Sequence, residues 1–247
     1  MPRLAIMSDP HANVAALSRV LADVADQGAD EVYCLGDAIG YGPQPQECCD
    51  LLREARVTLL MGNHEQGLIN IHYLRGFNQP AADVLRRTRE LIDEATYQWL
   101  VTRPKGLVAH GCRMVHGTPP DSVSEYLWRH ETNMGEIFAR YPEEFCFVGH
   151  THDLMRFTHG PGVGPGAGAS PRLSLPPGET VLEPGLRHLI NVGAVGQPRD
   201  GDNRAKYVLF DTATRTVTLR RVPYDIAATA ALIEARGFPR AFADRLW

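Results

Sequence analysis

Tyr33-Cys34-Leu35-Gly36-Asp37 is a short apolar run that stops at a glycine and a carboxylate. Read as a buried strand, it carries Asp37 to the carboxyl edge of a parallel sheet, where α/β proteins place their ligands. The pattern recurs on either side. Leu4-Ala5-Ile6-Met7 runs into Ser8-Asp9-Pro10-His11, and Val57-Thr58-Leu59-Leu60-Met61 runs into Gly62-Asn63-His64-Glu65. Helical periodicity fills the intervals. Asn13 is placed to cap a helix bearing Val14, Leu17, Val20, Leu21 and Val24, Gly28 ends it, and Pro45 opens another with Cys48, Leu51 and Leu52. Strand-helix-strand units of this kind make their strands parallel. Asp9, His11, Asp37, Asn63 and His64 are therefore expected on one edge of one sheet, with Asp37 shared by two metal ions.

Ala38-Ile39-Gly40-Tyr41-Gly42-Pro43 is too rich in glycine for a helix and is expected to loop over that edge. The pattern from Gly67 to Leu100 is helical, with Val84, Leu85, Leu91, Ile92 and Trp99 as core positions, until Pro104 and Gly106 break it. A hairpin is expected around His110-Gly111-Cys112-Arg113, its second strand ending in His116-Gly117. A helix from about Asn133 to Arg140 leads to Phe145-Cys146-Phe147-Val148, which ends in Gly149-His150-Thr151-His152. The segment from Gly160 to Gly185, dense in glycine and proline, is expected to be an irregular excursion, either a flap or filler. Strands resume at Leu189, Tyr207 and Val217. Between the first two lies the glycine-rich loop containing Arg199, and two helical stretches, Ile226 to Arg236 and Pro239 to Leu246, close the chain.

With 247 residues, 44% of them hydrophobic, the chain can bury a full core, and one domain over 1–247 is preferred to two. A net charge of -4 does not favour a bulk polyanion such as duplex DNA, although metal charge can still attract a small phosphorylated molecule. Cys34, Cys48, Cys49, Cys112 and Cys146 show no metal-binding spacing, and Cys34, Cys112 and Cys146, in or beside apolar runs, suit reduced thiols in a cytoplasmic protein. No apolar run approaches the length of a membrane span, and the first strand leaves no room for a signal peptide. Protein partners are not indicated.

Taken alone, a strand-end Asp is as often a turn cap, and a lone His-x-His is weak. The order Asp-x-His, Gly-Asp, Gly-Asn-His-Glu, His-Gly, Gly-His-x-His, each after an apolar strand, is another matter. From Ser8 to His152 the chain resembles the calcineurin-like metallophosphoesterases, of the compact prokaryotic phosphodiesterase-like branch. The resemblance implies a four-layer α/β/β/α sandwich with two facing mixed sheets. It further implies that Asp9, His11, Asp37 and His152 hold one metal, that Asp37, Asn63, His116 and His150 hold a second, and that His64 stands beside both without binding either.

Elementary electrostatics agrees with that assignment. Two divalent ions against the charges of Asp9 and Asp37 leave a positive centre suited to a phosphate ester, and the neutral Asn63 and imidazoles preserve the surplus. Metals roughly 3.5 to 4 Å apart lower the pKa of a bridging water to about 7. The hydroxide attacks phosphorus, and His64 is the candidate general acid for the leaving group, its ring oriented by Glu65 or a backbone carbonyl. Mixed O and N ligands favour Mn, the first choice, or Fe, Zn, Co or Ni over Ca or Mg.

His72, His110, His130, His159 and His188 fall outside the motifs and are expected to be structural or solvated. Asn13 is expected to cap its helix rather than touch phosphate. Arg199, with Asn63 and His64, is a candidate substrate contact. Phosphoserine/threonine phosphatases of the superfamily place arginines after the Gly-Asp and Gly-Asn-His-Glu motifs. Here those places read Ala38 to Pro43 and Gln66-Gly67. The expected activity is therefore hydrolysis of a small phosphodiester or nucleotide-like substrate. The alternatives are a phosphomonoesterase, phosphoprotein phosphatases included, and an inactive metal-binding interaction scaffold.

Overall fold

The structure, a computed structural model, describes residues 1–162, 170 and 172–247. Its first half alternates strands and helices: β1 (Arg3–Met7), α1 (Val14–Asp26), β2 (Glu31–Cys34), α2 (Pro45–Glu54) and β3 (Thr58–Leu59). β1 pairs parallel with β2, and β2 with β3, as the crossover rule requires. Asn13 caps α1 by accepting from the Ala16 amide at 3.1 Å, and its own amide group donates to the Gly196 carbonyl at 2.9 Å. It is a cap that also anchors a distant loop.

The helical stretch expected from Gly67 to Leu100 is broken into α3 (Asn63–Ile69), a 3₁₀ turn over Ile71–Gly76, α4 (Gln79–Leu91) and α5 (Glu94–Val101). The breaks have local causes. Asn78 and Asp93 each accept a hydrogen bond from the amide three residues ahead and so start new helices. β4 (Gly106–Ala109) and β5 (Cys112–Val115) form the expected hairpin about His110 and Gly111, whose φ values of 50° and 74° suit a two-residue turn. α6 (Met134–Ala139) precedes β6 (Phe145–Val148) and β7 (Leu154–His159).

Part of the expected excursion from Gly160 to Gly185 is regular, which corrects that reading. β8 (Arg172–Leu173) pairs with β7, and β9 (Gly178–Val181) pairs with β12 (Thr216–Val222), each adding an edge strand to a sheet. Backbone pairing with a ready edge overrides poor local propensity; residues 163–169 and 171 lie outside the described residues. β10 (Arg187–Val192), β11 (Ala205–Asp211) and the helices α7 (Ile226–Ala235) and α8 (Arg240–Asp244) complete the chain.

The strands make two six-stranded mixed sheets, ordered β3-β2-β1-β11-β12-β9 and β4-β5-β6-β10-β7-β8. Alternation along each strand builds the layers. Leu4, Ile6 and Phe210 of the first sheet meet Met114, Phe147 and Ile190 of the second in a dry interior. Ala5, Met7 and Leu209 face the other way, onto Leu17 and Val20 of α1 and Leu52 of α2. On the far side Cys146, Val148 and Leu189 pack against Ile137 and Phe138 of α6. The order is helix, sheet, sheet, helix. All six strands that run parallel to a neighbour (β1, β2 and β3 in one sheet, β5, β6 and β10 in the other) deliver their carboxyl ends to the loops described next.

Candidate metal centre

The loops at those strand ends are sewn together by backbone hydrogen bonds. Asp9 N donates to Gly36 O at 3.0 Å, Gly149 N to His116 O at 2.9 Å, and Gly196 N to Asp9 O at 2.9 Å, so the two sheets share one set of turns. At several points the turns leave room for nothing but glycine, Gly62 and Gly149 among them. A Cβ on Gly62 would stand 2.1 Å from Asp37 Oδ1, and one on Gly149 would stand 2.0 Å from Ser8 Oγ. Five of the side chains singled out in the sequence sit on left-handed backbone: Asp9, His11, Asp37, His150 and His152, with φ between 48° and 66°. Asp and His are among the residues that tolerate this region, at a cost of about 1 kcal/mol or more each.

Each aspartate divides its labour between two oxygens. Asp9 Oδ2 accepts the amide of His150 at 3.0 Å, and Asp37 Oδ1 accepts the amide of His64 at 2.9 Å. The other oxygens point at imidazole nitrogens. Asp9 Oδ1 has His152 Nε2 at 3.2 Å and His11 Nε2 at 3.6 Å, while Asp37 Oδ2 has His116 Nε2 at 3.3 Å and His11 Nε2 at 3.8 Å. Asn63 Oδ1 lies 3.2 Å from His116 Nε2. All seven of the expected ligands are buried. Three donor groups result: Asp9 with His11 and His152, Asp37 with His116 and His150, and His11 with Asp37 and His64.

Whether a cation fits can be judged from the imidazoles themselves. His11 Nδ1 faces Ile39 O at 3.0 Å and His152 Nδ1 faces Gln197 O at 2.6 Å, so each ring gives its N–H to a carbonyl. That leaves both Nε2 lone pairs exposed to each other across 3.1 Å. Two acceptors so close repel unless a cation lies between them and Asp9 Oδ1, which itself accepts no hydrogen bond. His150 gives Nε2 to Ser124 O at 3.2 Å, and its ring is stacked against Tyr126 at 4.0 Å between centroids. The donor set fits divalent metal on both sides of Asp37.

Charge follows the same layout. Burial works to raise the pKa of Asp9, yet the imidazoles of His152 and His116 more than reverse it, and the group stays below the ordinary carboxylate range. Asp37 behaves alike, burial being outweighed by His116 and His64. Burial holds His11 well below its usual value, takes His150 down to about 3 and takes His64 down to about 4. His116 goes the other way: burial opposes its charge, but Asp37 and Asp9 together lift it to about 9.

His64, in the first turn of α3, is held by packing. Its ring lies 4.8 Å from His11, 4.8 Å from Tyr41 and 5.1 Å from Phe77 between centroids, and its buried Nδ1 has no hydrogen-bond partner. The expectation that Glu65 orients it is corrected here. Glu65 instead accepts from the amides of Gly62 (2.8 Å), Asp37 (2.9 Å) and Ala38 (2.9 Å), tying the third motif to the second. Burial, with the nearby charge of Asp37, pushes this carboxyl up to about 7 against those three donors. Glu65→Ala strands three buried N–H groups, each worth about 1–3 kcal/mol. Urea unfolding of the metal-free variant is expected to show a loss of about 3 kcal/mol or more; a loss too small to resolve would mean that water replaces the carboxylate.

Arg199 is exposed at the rim, with its guanidinium 5.8 Å from the Tyr41 ring and 3.2 Å from Gln197 Oε1. It is not among the metal-facing groups. His110, His159 and His188 serve structure, pairing with Glu31, Ser170 Oγ and Glu183 O, and His130 pairs with Glu125. His72 is solvated, as expected, and stands at the edge of a cleft that opens from Asn63 and His150. Sequence reasoning also passed over Tyr41, Tyr126 and Gln197. The first carried a signal, as the aromatic residue standing in the loop after Gly-Asp.

This fold and this cluster define a calcineurin-like metal-dependent phosphoesterase. The family model of the calcineurin-like phosphoesterase superfamily domain matches residues 3–215, and the chain belongs to that family. The chain is 32% identical over 249 residues to the uncharacterized protein MJ0912 of Methanocaldococcus jannaschii, covering 99% of this chain and 97% of that one. A metallophosphoesterase structure from Sphaerobacter thermophilus is similar with a TM-score of 0.83 and 34% identity, covering 99% and 98% of the two chains. The hypothetical protein PH1004 of Pyrococcus horikoshii OT3 shares the fold, with a TM-score of 0.74, 18% identity, and coverage of 100% and 98%.

Proposed function

We propose that the protein hydrolyses a small phosphodiester or nucleotide-like substrate at a binuclear centre. The observation that carries this reading is the convergence of Asp9 Oδ1, Asp37 Oδ2 and the imidazoles of His11, His116 and His152, linked by contacts of 3.1 to 3.9 Å. Asp9, His11, Asp37 and His152 would hold one divalent cation, and Asp37, Asn63, His116 and His150 the other, manganese being the first choice and Fe, Zn, Co or Ni the others. Bound there, such ions would supply positive charge for a phosphoryl group and an acidified water with a pKa of about 7.

The residues of the chain do the rest. Asn63, with His64, borders the space where the phosphoryl group lies. A water oxygen forms the new bond to phosphorus, the bond to the leaving oxygen breaks, and His64 gives that oxygen its proton. Burial takes the pKa of His64 down to about 4, and an anionic substrate beside the ring would work the other way, favouring its protonated form. Preference for a diester rests on what flanks the centre. Tyr41, with its ring 4.6 Å from that of His11, occupies the loop where a guanidinium would grip a phosphomonoester dianion.

A cytoplasmic setting is part of the proposal, supported by five cysteines that are all buried and unpaired, as suits reduced thiols. The manganese-loaded protein is expected to hydrolyse bis-p-nitrophenyl phosphate in preference to the monoester p-nitrophenyl phosphate. A strong preference for the monoester overturns the choice of substrate, and equal inertness with and without chelator would leave an interaction scaffold instead.

A further inference from the structure

The walls of the cleft above the metal centre point to a narrower class of substrate, an inference that rests on the phosphoesterase reading just given. One arm of about 530 Å³ runs outward from Asn63 and His150 between the rings of Tyr73, Phe77 and Tyr126. A second arm of about 450 Å³ shares Tyr41, Asn78 and Tyr126 with the first and ends at Arg199 and Arg245. The two arms differ in chemistry. The first is aromatic and offers polar edges, among them the Tyr73 hydroxyl, which is buried and unpartnered, and Ser124. The second is cationic.

Its cations are uncommitted. Arg199 meets only neutral groups, the Gln197 oxygen and the Tyr41 ring, and Arg245 rests on the Phe242 ring at 5.8 Å. Neither has a carboxylate within salt-bridge range among the described residues, whereas Arg53, Arg113 and Arg220 are each paired to one. Arg129, on the aromatic arm, likewise rests only on Tyr126 and Trp128. Two guanidinium groups without a carboxylate partner, beyond a site that divalent cations would already make positive, call for negative charge beyond the phosphoryl group being cleaved. An aromatic arm of this size calls for a planar heterocycle.

We infer that the substrate is a nucleoside polyphosphate, with its base in the aromatic arm, its α-phosphoryl at the metal centre and its outer phosphates against Arg199 and Arg245. The α-phosphorus carries two substituents and so is chemically a diester. Water bonds to it, the Pα–O–Pβ bridge breaks on the α side, and the β-phosphoryl oxygen leaves with a proton. The products are a nucleoside monophosphate and the remaining polyphosphate.

The test uses the full chain loaded with manganese, with adenosine triphosphate and bis-p-nitrophenyl phosphate as probes. Wild type is expected to release adenosine monophosphate and pyrophosphate, with kcat/KM above that for the aryl diester. The double variant Arg199→Gln, Arg245→Gln is expected to lower the ratio of the two kcat/KM values about tenfold or more. Calorimetric affinity of the metal-free chain for α,β-methylene-ATP is expected to fall in parallel. Arg19→Gln, exposed on α1, removes one charge elsewhere and is expected to change neither quantity. Hydrolysis of the aryl diester with no preference for the nucleotide, release of the terminal phosphate, or an unmoved ratio in the double variant overturns this inference alone. Hydrolysis of neither probe overturns the phosphoesterase reading, and the calorimetric comparison then still decides whether the arms hold a nucleotide.

Discussion

Asp37→Asn is expected to empty both metal positions and to reduce hydrolysis by roughly 1,000-fold or more, since charge stabilisation by bound metal is worth several kcal/mol. Asp37 Oδ2 is an anionic oxygen near histidines from both sheets, 3.3 Å from His116 Nε2 and 3.8 Å from those of His11 and His64. The amide keeps Oδ1 in place to accept from His64 N, so the turn survives while the charge is lost. Two dications would then face a single carboxylate, Asp9. Elemental analysis of the reconstituted, desalted variant checks this directly. Wild-type metal content in Asp37→Asn would show that the carboxylate is not shared.

His64→Ala is expected to do the reverse: it keeps both ions and loses about 100- to 10,000-fold in turnover. Its ring faces the centre but is fixed by Tyr41 and Phe77, so its removal leaves His11, His150 and His152 held by their own carbonyls. Loss of proton donation has a signature that a packing defect lacks. A p-nitrophenolate leaves without help, whereas an alkoxide does not, so the deficit should be much larger for alkyl leaving groups. Equal deficits for both, or loss of metal, would remove His64 from the role of acid.

The cluster was legible because each of its residues follows an apolar run at a strand end, where one residue of context suffices. Asp37 after Tyr33-Cys34-Leu35 and His150 after Phe145-Cys146-Phe147-Val148 are both of this kind, and the structure brings them to one pocket with Asp9, His11, Asn63, His116 and His152. The groups that orient them were not legible. Ile39 O and Gln197 O are backbone atoms, and any side chain at those positions presents the same carbonyl. Glu65 was read as a partner for its neighbour in sequence, but a helix turns successive side chains apart, and it reaches back to Gly62, Asp37 and Ala38 instead. Tyr126 and Arg245 were missed because neither follows a strand. One lies before a 3₁₀ turn and the other ends a short helix that returns over Tyr41 through Phe242, 5.0 Å away. The strands β8 and β9 escaped notice for a related reason, since an edge strand borrows its order from the neighbour it joins.

The left-handed turns at Asp9, His11, Asp37, His150 and His152 set durability against usefulness. Glycine would adopt each of these bends more comfortably and carries no donor atom. A lineage bred in the laboratory for heat tolerance alone would therefore drift toward glycine at the three histidines first, since Asp9 and Asp37 also hold the amides of His150 and His64, and it would end hardier and inert.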